Sequence, residues 1–138
     1  MKAYFADTFY WIAFINPADD WHQRVRRTFK TLQPCKIITT DEVLTELLTF
    51  YSKSGHLLRS RAATFVRDIL ESSEVDIIQQ NHQSFLDGLH LYEQRLDKGY
   101  SIPDCVSMNT MSQLGIAEAL THDKHFVQEG FSIVFSEE

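Results

Sequence analysis

Apolar positions along this chain alternate between short continuous runs and faces of helical spacing. Tyr4 to Ala6 is a short strand, followed by an apolar helical run from Thr8 to Ile15 that Asn16-Pro17 stops. A polar amphipathic helix is expected from about Asp19 to Leu32. Cys35 to Thr39, with Ile37-Ile38 at its centre, is a second buried strand, and Thr39-x-x-Glu42 has the form of a capping box opening the next helix. That helix carries Val43, Leu44, Leu47, Leu48 and Tyr51 on one face and ends before Gly55. A further helix covers about Leu57 to Leu70, Val75 to Ile78 forms a third strand, and another helix runs from roughly Gln83 to Arg95.

Ser101-Ile102-Pro103-Asp104 is a second capping-box pattern, with a proline in the first turn, and its helix extends to about Leu114 before Gly115. Ile116 to Thr121 and Ser132 to Phe135 are the fourth and fifth strands. Strands alternating with helices predict a three-layer α/β/α sandwich with a mainly parallel five-stranded sheet and right-handed crossovers. The 138 residues form one domain, 1–138, on this reading, with no repeat or Pro/Gly-rich linker to divide them.

Composition adds little, since 43% apolar and 23% charged residues are average for a globular protein and exclude disordered or disulfide-rich classes. An acid at Asp7 comes too early for a signal peptide, and no stretch is long enough to span a bilayer, so a cytoplasmic protein without membrane contact is expected. Cys35 and Cys105 match no metal or redox spacing and are taken as small buried residues in preference to a pair. The net charge of −6 argues at first against a nucleic-acid partner. Its distribution weakens that argument: Trp21 to Thr40 contains no acid but holds Arg24, Arg26, Arg27, Lys30 and Lys36, and acid-free Leu47 to Arg67 holds Lys53, Arg59, Arg61 and Arg67. These are either two solvated helix faces or a rim that meets nucleic acid.

In open α/β sheets ligands bind beyond the carboxyl ends of the strands. Four acids satisfy that filter: Asp7 directly after the first strand, Glu46 about two turns into the helix after the second, Asp104 at the opening of its helix, and Asp123 after the fourth strand. Each also has an ordinary role open to it. Asp7 could cap a helix, Asp104 fits the third position of a capping box, Asp123 could serve a turn, and Glu46 could be solvated. Glu46 is preferred to Glu42 because it borders the apolar face through Val43 and Phe50. As a set, however, converging carboxylates repel one another unless a cation lies between them. A hard ion, Mg²⁺ or Mn²⁺, suits oxygen ligands and phosphodiester hydrolysis, where it activates water and neutralises the departing oxygen. Thr8 and Thr121 are candidates either to orient the carboxylates or simply to cap. His122-x-x-His125 lacks further ligands for a zinc site, and Phe126 beside it points to packing. Trp21, next to the basic run, is either core or a surface for stacking on a base.

Phe5-Ala6-Asp7-Thr8, Thr40-x-x-Val43-x-x-Glu46-Leu47, Tyr100-Ser101-Ile102-Pro103-Asp104-Cys105-Val106-Ser107 and Ala119-Leu120-Thr121-His122-Asp123-Lys124-His125-Phe126 together resemble PIN domains, the VapC-like toxin ribonucleases in particular. The likeness spans nearly the whole chain in order. It implies a Mg²⁺- or Mn²⁺-dependent endoribonuclease with Asp7, Glu46, Asp104 and Asp123 as catalytic, metal-holding residues. It also implies an RNA substrate, a cognate antitoxin and a homodimer. Pro103 departs from the polar residue many relatives carry there, and Asp97 is a candidate to support the site because similar chains often have an acid at that point.

Other enzyme classes fit less well. An aspartyl-phosphate phosphatase needs a second Asp where this chain has Phe9, a receiver domain needs an acidic pair after the first strand, and no Gly-x-Ser-x-Gly nucleophile elbow occurs. The alternative from another class is a catalytically inactive RNA- or protein-binding module of the same fold, whose mark would be loss of one or more acids; all four are present.

Overall fold

The computed structural model describes residues 1–136. Its elements follow one another as β1 (Lys2–Ala6), α1 (Thr8–Ile15), α2 (His22–Leu32), β2 (Cys35–Thr40), α3 (Asp41–Phe50), α4 (His56–Glu71), β3 (Val75–Ile78), α5 (His82–Gln94), α6 (Ile102–Leu114), β4 (Glu118–Leu120), α7 (His125–Gln128) and β5 (Ser132–Ile133). The strands form one sheet in the order β3-β2-β1-β4-β5, and every pairing is parallel. This is the three-layer α/β/α architecture that the alternating pattern predicts.

β1 lies at the centre of the sheet and is correspondingly apolar. Phe5 and Ala6 are fully buried, and Ile37 and Ile38 of β2 and Ala119 and Leu120 of β4 flank them. The chain leaves β1 toward β2 and β3 on one side, then crosses back to add β4 and β5 on the other. The sheet therefore has a topological switch point between β1 and β4, where the connections diverge and a crevice opens at the carboxyl ends. In this strand order, the right-handed crossovers usual for parallel sheets would put the helices before β3 and those after it on opposite faces.

Sequence and structure differ in four places, each with a local cause. The α3 cap is Thr40, whose hydroxyl accepts from the Val43 amide at 3.1 Å, and the predicted box at Thr39 does not form. Thr39 is still inside the sheet, donating to the Ala6 carbonyl at 2.9 Å and accepting from the Trp11 indole at 3.3 Å. β4 and β5 are shorter than the apolar runs that announced them, because burial of Ile116, Thr121 and Phe135 comes from packing beyond the ladder. α2 begins at His22, after the turns that follow Pro17. The single turn α7 was not anticipated; at 4 residues it is too short to leave a helical period.

The capping box at Ser101 forms as predicted. Ser101 Oγ accepts from the Asp104 amide at 3.1 Å, Asp104 Oδ2 accepts from the Ser101 amide at 3.0 Å, and Gly115 closes the helix in the left-handed region at φ 69°. Behind this helix α5 packs closely, and Gly88 sits at the contact: a Cβ there would lie 2.8 Å from Val106 Cγ2. Val is branched at Cβ and cannot swing away freely. Gly88→Ala is therefore expected to lower unfolding free energy by about 1–3 kcal/mol from overpacking, outweighing the ~1 kcal/mol helix-propensity gain, as measured by urea denaturation. Adding Val106→Ala should restore part of the loss, and an unchanged midpoint for Gly88→Ala alone would contradict the packing described.

Candidate functional site

The crevice at the switch point is built from β1 outward. In the β1–β4 ladder Ala6 lies opposite Leu120, so the next residues, Asp7 and Thr121, emerge side by side, and the Thr121 hydroxyl donates to Asp7 Oδ2 at 3.0 Å. Asp7 occupies the N-cap position of α1 but makes no side-chain cap bond, so capping does not account for it. Only 7% of its surface is exposed. Burial pushes its carboxyl up to about 7; the Thr8 amide and Thr121 hydroxyl work against that rise, and the charges of Asp104 and Glu46 add to it.

Glu46 arrives from α3. Its Oε1 accepts a hydrogen bond from Thr8 Oγ1 at 2.7 Å. Burial raises its carboxyl above the ordinary range, the Thr8 bond opposes this, and Asp104 raises it further. Asp104 influences both Asp7 and Glu46, and its carboxylate is pinned at the start of α6 by the capping box. Thr121 also accepts from the Asp123 amide at 3.1 Å, which turns the chain so that Asp123 rises beside Asp104. The fold thus brings all four predicted acids to one crevice, and both threonines hold carboxylates as the sequence raised.

A fifth residue joins them. The His125 amide donates to Asp123 Oδ1 at 2.9 Å, and this turn places the ring's Nδ1 3.4 Å from Asp123 Oδ1 and 3.6 Å from Asp104 Oδ2. Asp104, Asp123 and His125 each offer a ligand atom within 4.8 Å of the others, a grouping that can hold a metal ion. The two histidines of His122-x-x-His125 therefore part company. His122 packs tilted against Trp21 at 4.6 Å, with Nδ1 2.7 Å from the Phe135 carbonyl, which is the packing role expected. His125 was missed because it was weighed with His122 for zinc and not with the acids; the Asp-x-His spacing after the fourth strand was the available signal.

Other expectations fall outside the crevice. Asp97 is 78% exposed and meets Lys98 at 3.6 Å, with no bond to the acids, so its supporting role is not seen. Trp21 packs against Phe9, His122 and Phe135 and carries Arg24 over its face, so it is part of the packing and not a free stacking platform. Arg26, Arg27 and Lys30 on α2 and Lys53, Arg59, Arg61 and Arg67 in and before α4 are exposed, whereas Lys36 pairs with Asp76 at 3.0 Å. Cys35 and Cys105 are free and buried, and burial raises both thiols, Cys105 to about 11. Alongside Glu46 opens a cleft of about 440 Å³ whose walls include Thr8, Thr45, Phe50, Gln80 and Pro103.

Residues 4–131 match the PIN domain model, and the chain belongs to the PIN domain family. Within it, the structural likeness is to VapC toxins. VapC20 of Mycobacterium tuberculosis, a toxin that cleaves the sarcin–ricin loop, is 26% identical and superposes with a TM-score of 0.80 over 92% of this chain and 95% of its own. VapBC2 of Rickettsia felis bound to a promoter DNA fragment (18% identity, TM-score 0.67, 95% and 96% coverage) shares the fold. So does DNA-bound VapBC of Salmonella typhimurium (18%, 0.64, 96% and 97%). No curated protein sequence matches the chain significantly.

The raised carboxyl of Asp7 has a thermodynamic consequence. Its value is near 3.8 when unfolded and about 7 when folded, so the unfolded state loses its proton first as pH rises. Stability is fully present below about pH 4 and is lost progressively up to about pH 7. In chelator, Asp7→Asn should therefore be more stable than the parent at pH 8, by up to a few kcal/mol, and lose that advantage at pH 4. Thermal or urea unfolding at the two pH values checks this, and an equal difference at both would remove the electrostatic explanation.

Proposed function

We propose that this chain is a metal-dependent endoribonuclease that hydrolyses RNA phosphodiester bonds and acts as the toxin of a toxin–antitoxin pair. Asp7, Glu46, Asp104 and Asp123 are its catalytic, metal-holding residues. The observation that carries the reading is the convergence of these acids at the switch point, with Asp104 electrostatically coupled to Asp7 and Glu46 and within ligand-sharing reach of Asp123. The donor set fits Mg²⁺ or Mn²⁺: it is made of carboxylate oxygens whose mutual repulsion and burial, visible in the raised Asp7 and Glu46, are relieved by a cation. When bound, such an ion supplies an acidified water and neutralises charge on the departing oxygen.

The chain's own residues do the positioning. Thr121 fixes Asp7, Thr8 fixes Glu46, and the Ser101 capping box fixes Asp104, so three carboxylates are oriented before any ion arrives. Asp123, 38% exposed, leaves the crevice open to solvent on its side and gives a phosphate access. The cleft beside Glu46 offers Phe50 and Pro103 as an apolar wall for a nucleotide next to the scissile bond. Exposed basic residues of α2 and α4 supply sequence-independent attraction for the RNA backbone.

Several structural neighbours are toxin–antitoxin complexes, including one from Klebsiella pneumoniae and two bound to DNA. That context supports a cognate antitoxin as partner, and the same reading takes the protein as a cytoplasmic homodimer. Among the described residues no helix is long and apolar enough to cross a membrane.

The reading is tested by incubating structured and single-stranded RNAs with the protein in Mg²⁺, Mn²⁺ or chelator, beside Asp7→Asn and Asp104→Asn. Cleavage that needs the ion and falls by roughly 100-fold or more in both folded variants is the expected result. A folded parent that binds RNA or a partner without cutting any of the panel would favour the non-catalytic module instead.

A further inference from the structure

The His125 ring turns an unsatisfied nitrogen toward the carboxylates of the crevice. Its Nδ1 is inaccessible to solvent and has no hydrogen-bond partner, although it faces two carboxylates. At 3.4 and 3.6 Å from Asp123 Oδ1 and Asp104 Oδ2 it lies beyond the usual 2.7–3.2 Å range of an N–H···O bond. An orphaned buried nitrogen costs free energy comparable to a lost hydrogen bond, so its position calls for a third party. The separations are close to the ~3 Å between adjacent corners of an octahedron with metal–ligand bonds of about 2.1 Å.

The ring is also held from behind. Tyr100 stands edge-on to it at 5.3 Å, and Tyr100 is fixed by a hydrogen bond to Glu129 Oε1 at 3.0 Å. Glu129 accepts two further bonds from Arg95, at 2.9 and 3.0 Å, and the guanidinium lowers its carboxyl below the ordinary range. At the front, the Asp123 turn ties the His125 backbone to the same carboxylate the ring faces. The ring is thus fixed in orientation before any ion binds, which is how proteins prepare a ligand histidine.

Building on the proposed metal site, we infer that His125 Nδ1 is a direct ligand, with Asp104 and Asp123, and that it biases the site toward Mn²⁺ over Mg²⁺. Mg²⁺ prefers oxygen and retains its waters, whereas an imidazole nitrogen is accepted more readily by transition-metal ions. The crevice then has two unlike sides. Asp7 contributes buried oxygens and Glu46 half-buried ones, and the α7 turn contributes a nitrogen that gives the site its preference among ions.

Mn²⁺ binding to the full chain, read by electron paramagnetic resonance, separates the outcomes, with Mg²⁺ affinity obtained by competition. Directly bound nitrogen should modulate the Mn²⁺ spin echo in the parent. His125→Ala should lose that modulation and weaken Mn²⁺ binding by about tenfold or more, with Mg²⁺ binding changed by less than about threefold. His125→Asn, which puts an oxygen near the Nδ1 position and guards against misfolding of the alanine variant, should bind both ions while losing the modulation and the Mn²⁺ preference. If Mn²⁺ binds the parent without nitrogen modulation and His125→Ala binds it equally well, the ligand role is overturned and the carboxylate site stands. If the parent binds neither ion, or Asp104→Asn binds Mn²⁺ as the parent does, the site reading fails and this inference with it.

Discussion

The pairing of β1 with β4 governs the rest of this molecule. Parallel strands require long crossovers, and adding β4 beside β1, after β2 and β3 have filled the other side, forces the connections to diverge at β1. Ladder bonds fix Ala6 opposite Leu120, so the residues that leave the sheet next, Asp7 and Thr121, meet without needing any loop to find the other. The buried carboxylate and its hydroxyl partner follow from strand register. Asp123 and His125, two and four residues beyond Thr121, inherit their places from the same register.

That arrangement carries an electrostatic load. Burial raises the carboxyls of Asp7 and Glu46, the charge of Asp104 raises both further, and Glu46 adds to the rise at Asp7. The sequence answers with a hydrogen-bond donor on each of these acids: the Thr121 hydroxyl on Asp7, the Thr8 hydroxyl on Glu46, and the Ser101 amide on Asp104. These bonds orient the groups but do not remove the repulsion, which a cation between the carboxylates would relieve. Under the proposed function, a chain of net charge −6 would meet a polyanion through a bound cation and the exposed basic residues of α2 and α4.

The bonded network of Arg95, Glu129 and Tyr100 joins the end of α5, the segment before α6 and the end of α7. It contains none of the crevice residues, yet it braces both segments that deliver them, Asp104 on one side and His125 on the other. Close packing of α5 on α6 through Gly88 adds to this, holding the helix whose first turn carries Asp104.

Much of this was legible in the chain itself. Runs such as Val75–Ile78 and Thr8–Ile15, the Ser101 capping box and the stop at Gly115 are local, and local physics placed them to the residue or nearly so. The positions of four acids after strands and at helix openings could likewise be read from order alone. Tertiary structure decided the rest. Thr39 lost its capping role to Thr40 because the sheet claimed its hydroxyl, Asp97 was left in solvent, and His125 came to face Asp104 across 20 intervening positions no periodicity links. Sequence determines which residues can stand at an element's end, because caps and periods act within a few residues. Which ends meet is set by strand order and register, and those are properties of the assembled sheet.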